Sequence, residues 1–464
     1  MPERLTGFID RGRAAVLLHP AALGDGALGV PAWQFVDWLA AAGFSAWQLL
    51  PLGPVGADGS PYWVRSDFAG NVDLLPAAGR GVIADDILAR FSADNDHWLP
   101  DFALHQALAK RHGPTWLDWP HLLRDRHADE VAQARKLLAT DIRLSVRAQC
   151  AFDCAWSALQ AHARRRGVQL IGDLPMYVAP DSVETWVHRH EFMLAADGGP
   201  ALLAGVPPDY FSADGQLWGN PVYDWNHAAA NGFAHFRRRV RQALQRCDYL
   251  RIDHFRALAA HWVVEPGAAN ARHGRWVATP GRDALAALQT DCPQMPLIAE
   301  DLGDITPDVL QLRDEFGLPG MQVMQFAFDG DPDNLHQPAN YRSQSVAYLG
   351  THDNDTTLGW LLGLDSETLR RACEQFGVRP GLLPSAMRQA LLRSRARLIV
   401  LTAQDILGLG SEARYNTPGS TAGNWCWQLP AGSLTQPLAD ALRAELAAVG
   451  RVQDSARFDT VGLA

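Results

Sequence analysis

Four acidic side chains stand at the ends of apolar, strand-like runs, in the sequences LIGD, LRID, LIAE and YLGTHD. They are Asp173, Asp253, Glu300 and Asp353. A single acid in such a position is explained as a cap on the following helix, but four of them indicate a shared site. Two carboxyl groups whose surroundings push their pKa values apart can divide the roles of nucleophile and proton donor. The pattern therefore predicts acid and nucleophile chemistry at the ends of strands.

Arg251 and Asp253 are two residues apart in the run DYLRIDHFRAL, so in a strand their side chains point to the same face. A guanidinium beside a carboxylate lowers the pKa of that carboxylate, so we expect Asp253 to stay ionised as a nucleophile. Glu300 follows a strongly apolar run, and partial burial is expected to raise its pKa and keep a proton available. A purely structural ion pair between Arg251 and Asp253 is the alternative.

Other polar and aromatic residues fit the same site. Asp173 and Asp353 are expected to bind substrate hydroxyl groups or support the transition state, and His254 and His352 to donate hydrogen bonds to the same hydroxyls. Two loops, 60–71 and 205–221, present the aromatic residues Tyr62, Tyr210, Phe211 and Trp218. Aromatic rings on stiff loops suit stacking on flat apolar faces such as sugar rings, and they exclude water. Each ring could equally be a hydrophobic plug.

Eight short β-rich runs must position these residues. They span 14–20, 44–52, 168–178, 248–255, 296–303, 321–328, 345–353 and 398–405. Helical patterns lie between several of them, and near-continuous apolar strands that alternate with helices indicate a parallel sheet covered on both faces. Eight such units predict an α/β fold, a (β/α)8 TIM barrel, whose active site lies at the carboxyl ends of the strands. A doubly wound open sheet is the alternative, but no GxGxxG follows the first strand.

The spacing of the runs is unequal, which predicts helical insertions between strands within one catalytic barrel spanning 1–464. A mainly helical insertion is expected at about 55–150. A second insertion, carrying an active-site loop, is expected at about 195–230. The chain ends soon after the eighth strand, so a C-terminal β-sandwich is not expected.

Composition narrows the class of protein. The formal net charge is -10 and no basic stripe is present, which argues against nucleic acid and anionic membranes as partners. No run approaches ~18 uninterrupted apolar residues, and the N-terminus does not read as a signal peptide. The six cysteines form no CxxC motif, so we expect free thiols in a reducing cytoplasm.

Taken together and in order, the motifs GVPPDYFS, LWGNP, RIDHF, IAEDLG, THDNDT and NTPG…GNW resemble one family over about residues 13 to 430. That family is the 4-α-glucanotransferases, called amylomaltases or disproportionating enzymes, in glycoside hydrolase family 77 of the α-amylase clan. The resemblance implies a retaining double displacement that passes α-1,4-glucan segments from a donor maltooligosaccharide, through a covalent glucosyl-enzyme, to the 4-hydroxyl of an acceptor glucan or glucose. It implies no cofactor and no metal.

The resemblance also implies a role for each matching residue. Asp253 in RIDHF would be the nucleophile, Glu300 in IAED the general acid/base, and Asp353 in THD the transition-state stabiliser. The other matching positions would bind substrate: Tyr62, Asp173, Gln216, Trp218, Arg251, His254, His352 and Asn416.

Some positions depart from the family pattern. AALGDGALGVPA replaces the usual segment after LLHP, Ala257 stands where glycine is usual, and Gln428 where arginine is common. Ala57 stands where some members have a tyrosine in a second glucan-binding groove, so we predict no such groove here.

Three rival functions remain open. A metal-dependent barrel hydrolase would commonly carry an HxH after the first strand, where only His19 stands, and no HExxH occurs. A glucan-binding protein without chemistry would be expected to lack one of the three carboxylates. An α-1,4-glucan hydrolase of the same clan would use the same carboxylates, so the sequence separates it from a transferase only through the loops and the family resemblance.

Overall fold

The computed structural model describes residues 12–77, 83–208, 214–420 and 422–452. Twelve strands occur in the described part: β1 Arg13–Leu17, β2 Ala46–Gln48, β3 Gln169–Leu174, β4 Leu203–Val206, β5 Gln216–Pro221, β6 Tyr249–Ile252, β7 Ala260–Val264, β8 Arg275–Ala278, β9 Leu297–Ala299, β10 Gly320–Val323, β11 Ser345–Tyr348 and β12 Leu398–Thr402.

Eight of these strands form one sheet in the order β10-β11-β12-β1-β2-β3-β6-β9, and every pairing in it is parallel. The two outer strands of this order meet, because the Ala299 N–H donates to the carbonyl of Pro319 at 2.9 Å, immediately before β10. The sheet therefore curls almost completely into a barrel. Each of the eight runs predicted from the sequence overlaps one barrel strand, with β1 and β10 each beginning one residue before the predicted run, which confirms the expected (β/α)8 architecture.

Helices cover the outside of the barrel and fill the long connections. The α-helices are Val30–Ala42, Asp85–Asp94, Leu99–His112, His121–Arg124, Ala128–Leu137, Ala139–Arg165, Val183–Val187, Trp225–Ala230, Ala234–Gln245, Gly281–Asp291, Pro307–Glu315, Thr357–Gly363, Ser366–Phe376, Leu383–Arg393, Ala403–Ile406 and Gln436–Ala448. Short 3-10 helices are Pro20–Leu23, Val72–Leu74, Trp116–Asp118, Arg189–Glu191, Phe255–Leu258, Met324–Phe326, Pro338–Asn340, Pro380–Leu382 and Ser411–Ala413.

Two helix ends follow directly from the sequence. The helix Val30–Ala42 stops at Gly43, whose φ of 86° lies in the left-handed region that glycine adopts without strain. The long helix Ala139–Arg165 ends two residues before Gly167, whose φ is 71°. No helix among the residues described is long and apolar enough to cross a membrane.

A second, antiparallel sheet with the order β5-β4-β7-β8 was not expected. The segment 205–221, predicted as a loop, contributes part of β4 and all of β5 to this sheet. Its strands are short and rich in glycine and proline, which is why they read as a loop. Gly205 and Gly215 are required there, since an added Cβ would lie 2.4 Å from a backbone oxygen at either position.

Side chains of the barrel strands alternate between an inner and an outer core. In β12, Leu398 and Val400 face the barrel interior, whereas Ile399 and Leu401 pack in the larger core outside. The same alternation places Tyr249 inside, so Arg251, two residues further along β6, lies on the interior face. Many of the tryptophans serve as core filler; Trp47, Trp116, Trp156 and Trp186 are almost fully buried.

Candidate active site

The four predicted acids all lie at the carboxyl end of the barrel. Asp173 is the second-last residue of β3, and Asp253 and Glu300 directly follow β6 and β9. Backbone hydrogen bonds tie these ends together: the Asp253 N–H donates to Leu174 at 3.0 Å, and the Glu300 N–H donates to Ile252 at 3.1 Å. Because neighbouring parallel strands end side by side, the chain brings together residues that are more than a hundred positions apart.

Arg251 joins two of the carboxylates. Its Nη1 lies 2.8 and 2.9 Å from the two oxygens of Asp173 and 2.9 Å from Oδ1 of Asp253. The side chain of Asp173 is 0% exposed, whereas that of Asp253 is 27% exposed. Of the two carboxylates, Asp253 is thus the one that a bound molecule can reach. Asp173 is buried and pairs with the same guanidinium.

Glu300 is oriented by two backbone amides. The N–H of His254 donates to Oε2 at 2.7 Å, and the N–H of Leu302 donates to Oε1 at 3.1 Å. His254 has a φ of 48°, a left-handed conformation that a non-glycine residue rarely adopts. Strained backbone of this kind is typical of functional sites, and here it occurs in the residue whose amide holds Glu300.

The pKa values of both carboxyl groups lie well above their ordinary range. Burial raises the pKa of Glu300 to about 8, against the opposing effect of Arg251. Burial also raises the pKa of Asp253 to about 7; Arg251 lowers it, while Asp173 and Asp353 raise it further. The expectation that Arg251 would hold the pKa of Asp253 below its ordinary value is therefore wrong, because burial and two like charges outweigh one cation. The expectation that burial raises the pKa of Glu300 agrees with the structure.

Asp353 sits on the loop that follows β11. Asn416 Nδ2 donates to its Oδ1 at 2.6 Å, and Nε2 of His352 lies 3.4 Å from the same oxygen. Arg414 fixes the backbone by donating to the Asp353 carbonyl at 2.8 Å. The carboxylate itself remains 43% exposed. Burial lowers the pKa of His352, so this imidazole is neutral at neutral pH.

Aromatic rings surround the carboxylates on two sides. Tyr62 stacks on His352 with ring centroids 5.1 Å apart and planes at 11°, and its hydroxyl donates to Asp173 Oδ2 at 2.7 Å. Trp218 meets His254 edge to face at 4.8 Å. The Trp218 Nε1–H donates to Gln216 Oε1 at 3.2 Å, which aligns these two residues of β5.

All of the predicted site residues thus lie in one connected group, with Gln216 attached through Trp218. Tyr210 and Phe211 lie outside the described residues. The sequence reasoning missed Tyr177 and Trp425. Tyr177 lies 6.2 Å from the ring of Trp218 and 6.4 Å from that of His254, and Trp425 lies 5.8 Å from Tyr62. The available signal was their position, Tyr177 within the strand-like run 168–178 and Trp425 within the motif GNW.

Metal-ligand geometry occurs away from these carboxylates. Within the described ranges, one group of at least three side chains could hold an ion, and it consists of His190, Glu191 and His227. It lies on segments that precede β4 and follow β5, not at the barrel strand ends.

Comparison with known proteins adds sequence and structural relatives. A family model described as 4-alpha-glucanotransferase matches residues 16–79 and 81–435. The 4-alpha-glucanotransferase of Thermus thermophilus is 39% identical, over 94% of this chain and 98% of its own length. The enzyme of the same name from Synechocystis sp. is 38% identical, over 91% and 94%.

Solved structures of two amylomaltases superpose on this chain. The amylomaltase of Streptococcus agalactiae, in complex with acarbose, superposes with a TM-score of 0.91 at 29% identity, covering 96% of this chain and 100% of that one. The amylomaltase of Corynebacterium glutamicum, at 17% identity and a TM-score of 0.70, shares the fold over 97% of this chain and 76% of its own.

Proposed function

Because the chain belongs to the 4-alpha-glucanotransferase family, we propose that Asp253, Glu300 and Asp353 carry out its chemistry. The enzyme transfers α-1,4-glucan segments from a donor maltooligosaccharide to the 4-hydroxyl of an acceptor glucan or of glucose. The observation that carries the assignment is the pairing of a reachable carboxylate beside Arg251 with a second carboxyl that is held by two backbone amides and whose pKa is raised by burial.

In the first step, an oxygen of Asp253 attacks the anomeric carbon of the donor. The bond from that carbon to the glycosidic oxygen breaks, and Glu300 gives its proton to the departing oxygen. The product is a glucosyl-enzyme ester together with a shortened glucan. A pKa of about 8 suits this step, since Glu300 still holds its proton at neutral pH.

In the second step, Glu300 accepts the proton of the acceptor's 4-hydroxyl. That oxygen attacks the anomeric carbon, the ester bond to Asp253 breaks, and an α-1,4 bond forms with retained configuration. We assign Asp353 to stabilisation of the positive charge on the sugar, because its carboxylate is exposed and is held in place by Asn416. The two reacting carboxyl groups should then lie ~5 Å apart, as retaining pairs do.

The proposed substrate contacts fall into two groups. Tyr62, Trp218, His254 and His352 present rings, while Gln216 and Asn416 offer amides; all six are proposed to face the glucan. Arg251 and Asp173 are proposed to act without touching the glucan, since their side chains are 4% and 0% exposed and are bound to each other. Their effect on substrate would pass through Asp253 and Tyr62.

Transfer rather than hydrolysis requires that water be kept from the glucosyl-enzyme. Tyr62, His352 and Trp425 form one aromatic group beside the carboxylates, and Tyr177, Trp218 and His254 form another. We infer that these groups favour a sugar acceptor over water, because they offer apolar faces on which an acceptor ring can stack. An α-1,4-glucan hydrolase of the same clan has no observation of its own in its favour.

We further propose that the chain is one catalytic unit, 1–464, and that its insertions build the substrate cleft. Tyr62 comes from the insertion at about 55–150, and Gln216 and Trp218 from that at about 195–230. Helices between 85 and 165 and strands β4 and β5 lie within or next to these insertions. Neither insertion supplies a candidate catalytic carboxylate.

We propose a cytoplasmic location, with maltooligosaccharides and starch- or glycogen-derived glucans as partners and neither nucleic acid nor membrane. The six free cysteines support a reducing compartment. Attack, proton transfer and charge stabilisation are all assigned to side chains of this chain, so no step needs a metal or an organic cofactor.

A covalent trapping experiment tests the residue assignment. Glu300→Gln is incubated with an α-maltosyl fluoride, whose fluoride departs without protonation, so that the first step proceeds and the second lacks its base. We expect the intact mass to rise by one maltosyl unit, with the label on the peptide containing Asp253. Asp253→Asn combined with Glu300→Gln is the matched control and should stay unlabelled. A label on another residue would contradict the assignment.

A further inference from the structure

A second polar cluster, outside the glucan site, consists of His190, Glu191 and His227. Glu191 ends the 3-10 helix Arg189–Glu191, and His227 lies in the first turns of the helix Trp225–Ala230. Nε2 of His190 and Nε2 of His227 lie 3.9 and 3.8 Å from the same atom, Oε1 of Glu191. The two imidazole rings meet edge to face with centroids 4.7 Å apart.

Backbone contacts hold the two segments of this cluster against each other. The N–H of Asp224 donates to the carbonyl of Glu191 at 2.9 Å, and Phe192 forms a β-bridge with Tyr223. Asp224 also caps the second helix, because its Oδ1 accepts from the N–H of His227 at 3.0 Å. These contacts hold the backbones that carry the three side chains in a fixed relation to each other.

The arrangement has the chemistry of a metal site. Two imidazoles and one carboxylate are a ligand set that Zn²⁺ and related transition-metal ions accept. The Glu191 side chain is only 5% exposed, while those of His190 and His227 are 58% and 38% exposed, so an ion would keep an open side for water. Asn231 Nδ2 donates to Glu191 Oε1 at 3.1 Å and orients the carboxylate, as outer partners of metal ligands do.

The spacing is close to what an ion needs. The three ligand atoms all lie within 4.8 Å of one another. Zinc bonds to nitrogen and oxygen are ~2.0–2.2 Å long and usually tetrahedral, which places ligand atoms ~3.3–3.6 Å apart, so each exposed imidazole nitrogen would have to move inward by ~0.5–1 Å. Rotation of two half-exposed side chains supplies a shift of that size without moving the backbone.

We propose that His190, Glu191 and His227 bind one divalent transition-metal ion, with Zn²⁺ as the expected ion. The bound ion cross-links the segment before β4 to the helix after β5, and it takes no part in glucan transfer. The inference does not depend on the proposed function, because its ligands include none of the proposed catalytic residues. A hydrogen-bonded ion pair without any metal is the competing interpretation.

Metal titration of the full chain tests this proposal. The chelator-treated, dialysed protein is titrated with Co²⁺, whose visible absorption reports protein ligands, and then with Zn²⁺, followed by calorimetry. We expect one equivalent of Co²⁺ to give absorption bands stronger than those of the aqueous ion, and one equivalent of Zn²⁺ to abolish them. The variants His190→Ala and His227→Ala should each weaken Zn²⁺ binding at least tenfold, and His273→Ala, an exposed histidine elsewhere, should leave it unchanged.

Glu191 needs a gentler variant because it is buried. Glu191→Gln keeps the shape and the acceptor for Asn231 but removes the charge, and it should also weaken Zn²⁺ binding. The proposal is overturned if the wild-type protein binds no Co²⁺ or Zn²⁺, or if bound ion is unaffected in His190→Ala and His227→Ala. Maltotriose turnover, measured on the same samples, should be equal with and without Zn²⁺; a requirement for Zn²⁺ would overturn the structural role given to the ion.

Discussion

At the scale of single residues, Arg251 is the centre of the site's electrostatics. Its guanidinium contacts both Asp173 and Asp253, and it also lowers the pKa of Glu300. One buried cation therefore offsets several buried acids. The raised pKa values of Asp253 and Glu300 show that this offset is incomplete, which leaves both groups able to change protonation near neutral pH.

Arg251→Met is expected to disable the nucleophile. Without the guanidinium, the pKa of Asp253 should rise from about 7 by a further ~1–3 units, which lowers its ionised fraction at neutral pH by roughly 5- to 500-fold. We expect kcat/KM to fall by a similar factor and to recover partly at higher pH. Arg256→Met is the matched control, since Arg256 is also buried but stacks on Trp276 and donates to Thr306. An unchanged pH profile in Arg251→Met would contradict this account.

The pH dependence of transfer should report the same pair of acids. Activity requires Asp253 ionised and Glu300 protonated, so kcat/KM should fall below a pKa of about 7 and above one of about 8. These limbs belong to the interacting pair, not to isolated groups. Glu300→Gln assayed with α-maltosyl fluoride and an acceptor should be slow and should lose the alkaline limb, because the group whose deprotonation produces that limb has been removed, while the acid limb of Asp253 remains. An alkaline limb that persists in Glu300→Gln would assign it to another residue.

The free energy of unfolding should change with pH in the opposite direction to that expected for an acid in an ordinary ion pair. The folded protein holds a proton on Glu300 up to a pKa of about 8, whereas the unfolded chain releases it near ~4.3. Between those values the folded state binds more protons, so the free energy of unfolding falls as pH rises. Thermal denaturation should show Glu300→Gln gaining stability relative to wild type as pH increases from about 5 to about 8. A constant difference across that range would contradict the raised pKa.

The four acids could be selected from the sequence because each one stands at the end of an apolar run that is recognisable as a strand. The sequence could not give the pKa of Asp253, which depends on burial and on Asp353, a hundred residues further along the chain. The hydrogen bond from Tyr62 to Asp173 likewise joins loops that only the closed barrel brings together. Local patterns therefore predict which residues take part, and long-range packing determines their protonation.

At the scale of elements, the barrel strands were predictable and the antiparallel sheet was not. Barrel strands are continuous apolar runs, since both of their faces are buried. Strand β8 has exposed residues at both ends, and β5 is mostly half-buried and contains glycine, asparagine and proline, so neither is a continuous apolar run. The antiparallel pair β4 and β5 nonetheless positions Gln216 and Trp218. An element that carries two proposed substrate contacts was therefore predicted as a loop.

The last described helix, Gln436–Ala448, is expected to stabilise the barrel through two partly buried hydrogen bonds of Arg443. Arg443 donates from Nε and Nη2 to the carbonyls of Ala41 and Ala40, at 2.6 and 2.5 Å, where the helix Val30–Ala42 ends. Arg443→Ala should lower the free energy of unfolding by about 1.5–3 kcal/mol, because both carbonyls lose a charged donor. Denaturant melts would measure this.

Arg370→Ala is the control for that experiment. Arg370 pairs with Glu367 and Glu374 on the surface of one helix, with 54% of its side chain exposed. Such exposed pairs contribute little to stability, because water and salt screen them, so Arg370→Ala should change the free energy of unfolding much less than Arg443→Ala. Equal losses for Arg443→Ala and Arg370→Ala would show that the helix end does not depend on Arg443.

At the scale of the whole molecule, one barrel supplies all three carboxylates, while the connections between its strands supply the aromatic surroundings. The TM-score of 0.91 with the acarbose-bound amylomaltase shows that this arrangement of barrel and insertions is shared. We propose that acceptor choice can be altered at Tyr62, Trp218 or Trp425 without loss of the chemistry, since these three rings lie on connections that supply none of the three carboxylates.

The most direct test of glucan transfer by these carboxylates is the product pattern from maltotriose, followed by mass spectrometry in a chelating buffer. We expect glucose together with maltooligosaccharides longer than the substrate, a constant number of reducing ends, and loss of all products in Asp253→Asn. Glucose and maltose alone, with reducing ends rising, would mean that water is the acceptor and would contradict the account. So would transfer that survives in Asp253→Asn or stops in the chelator.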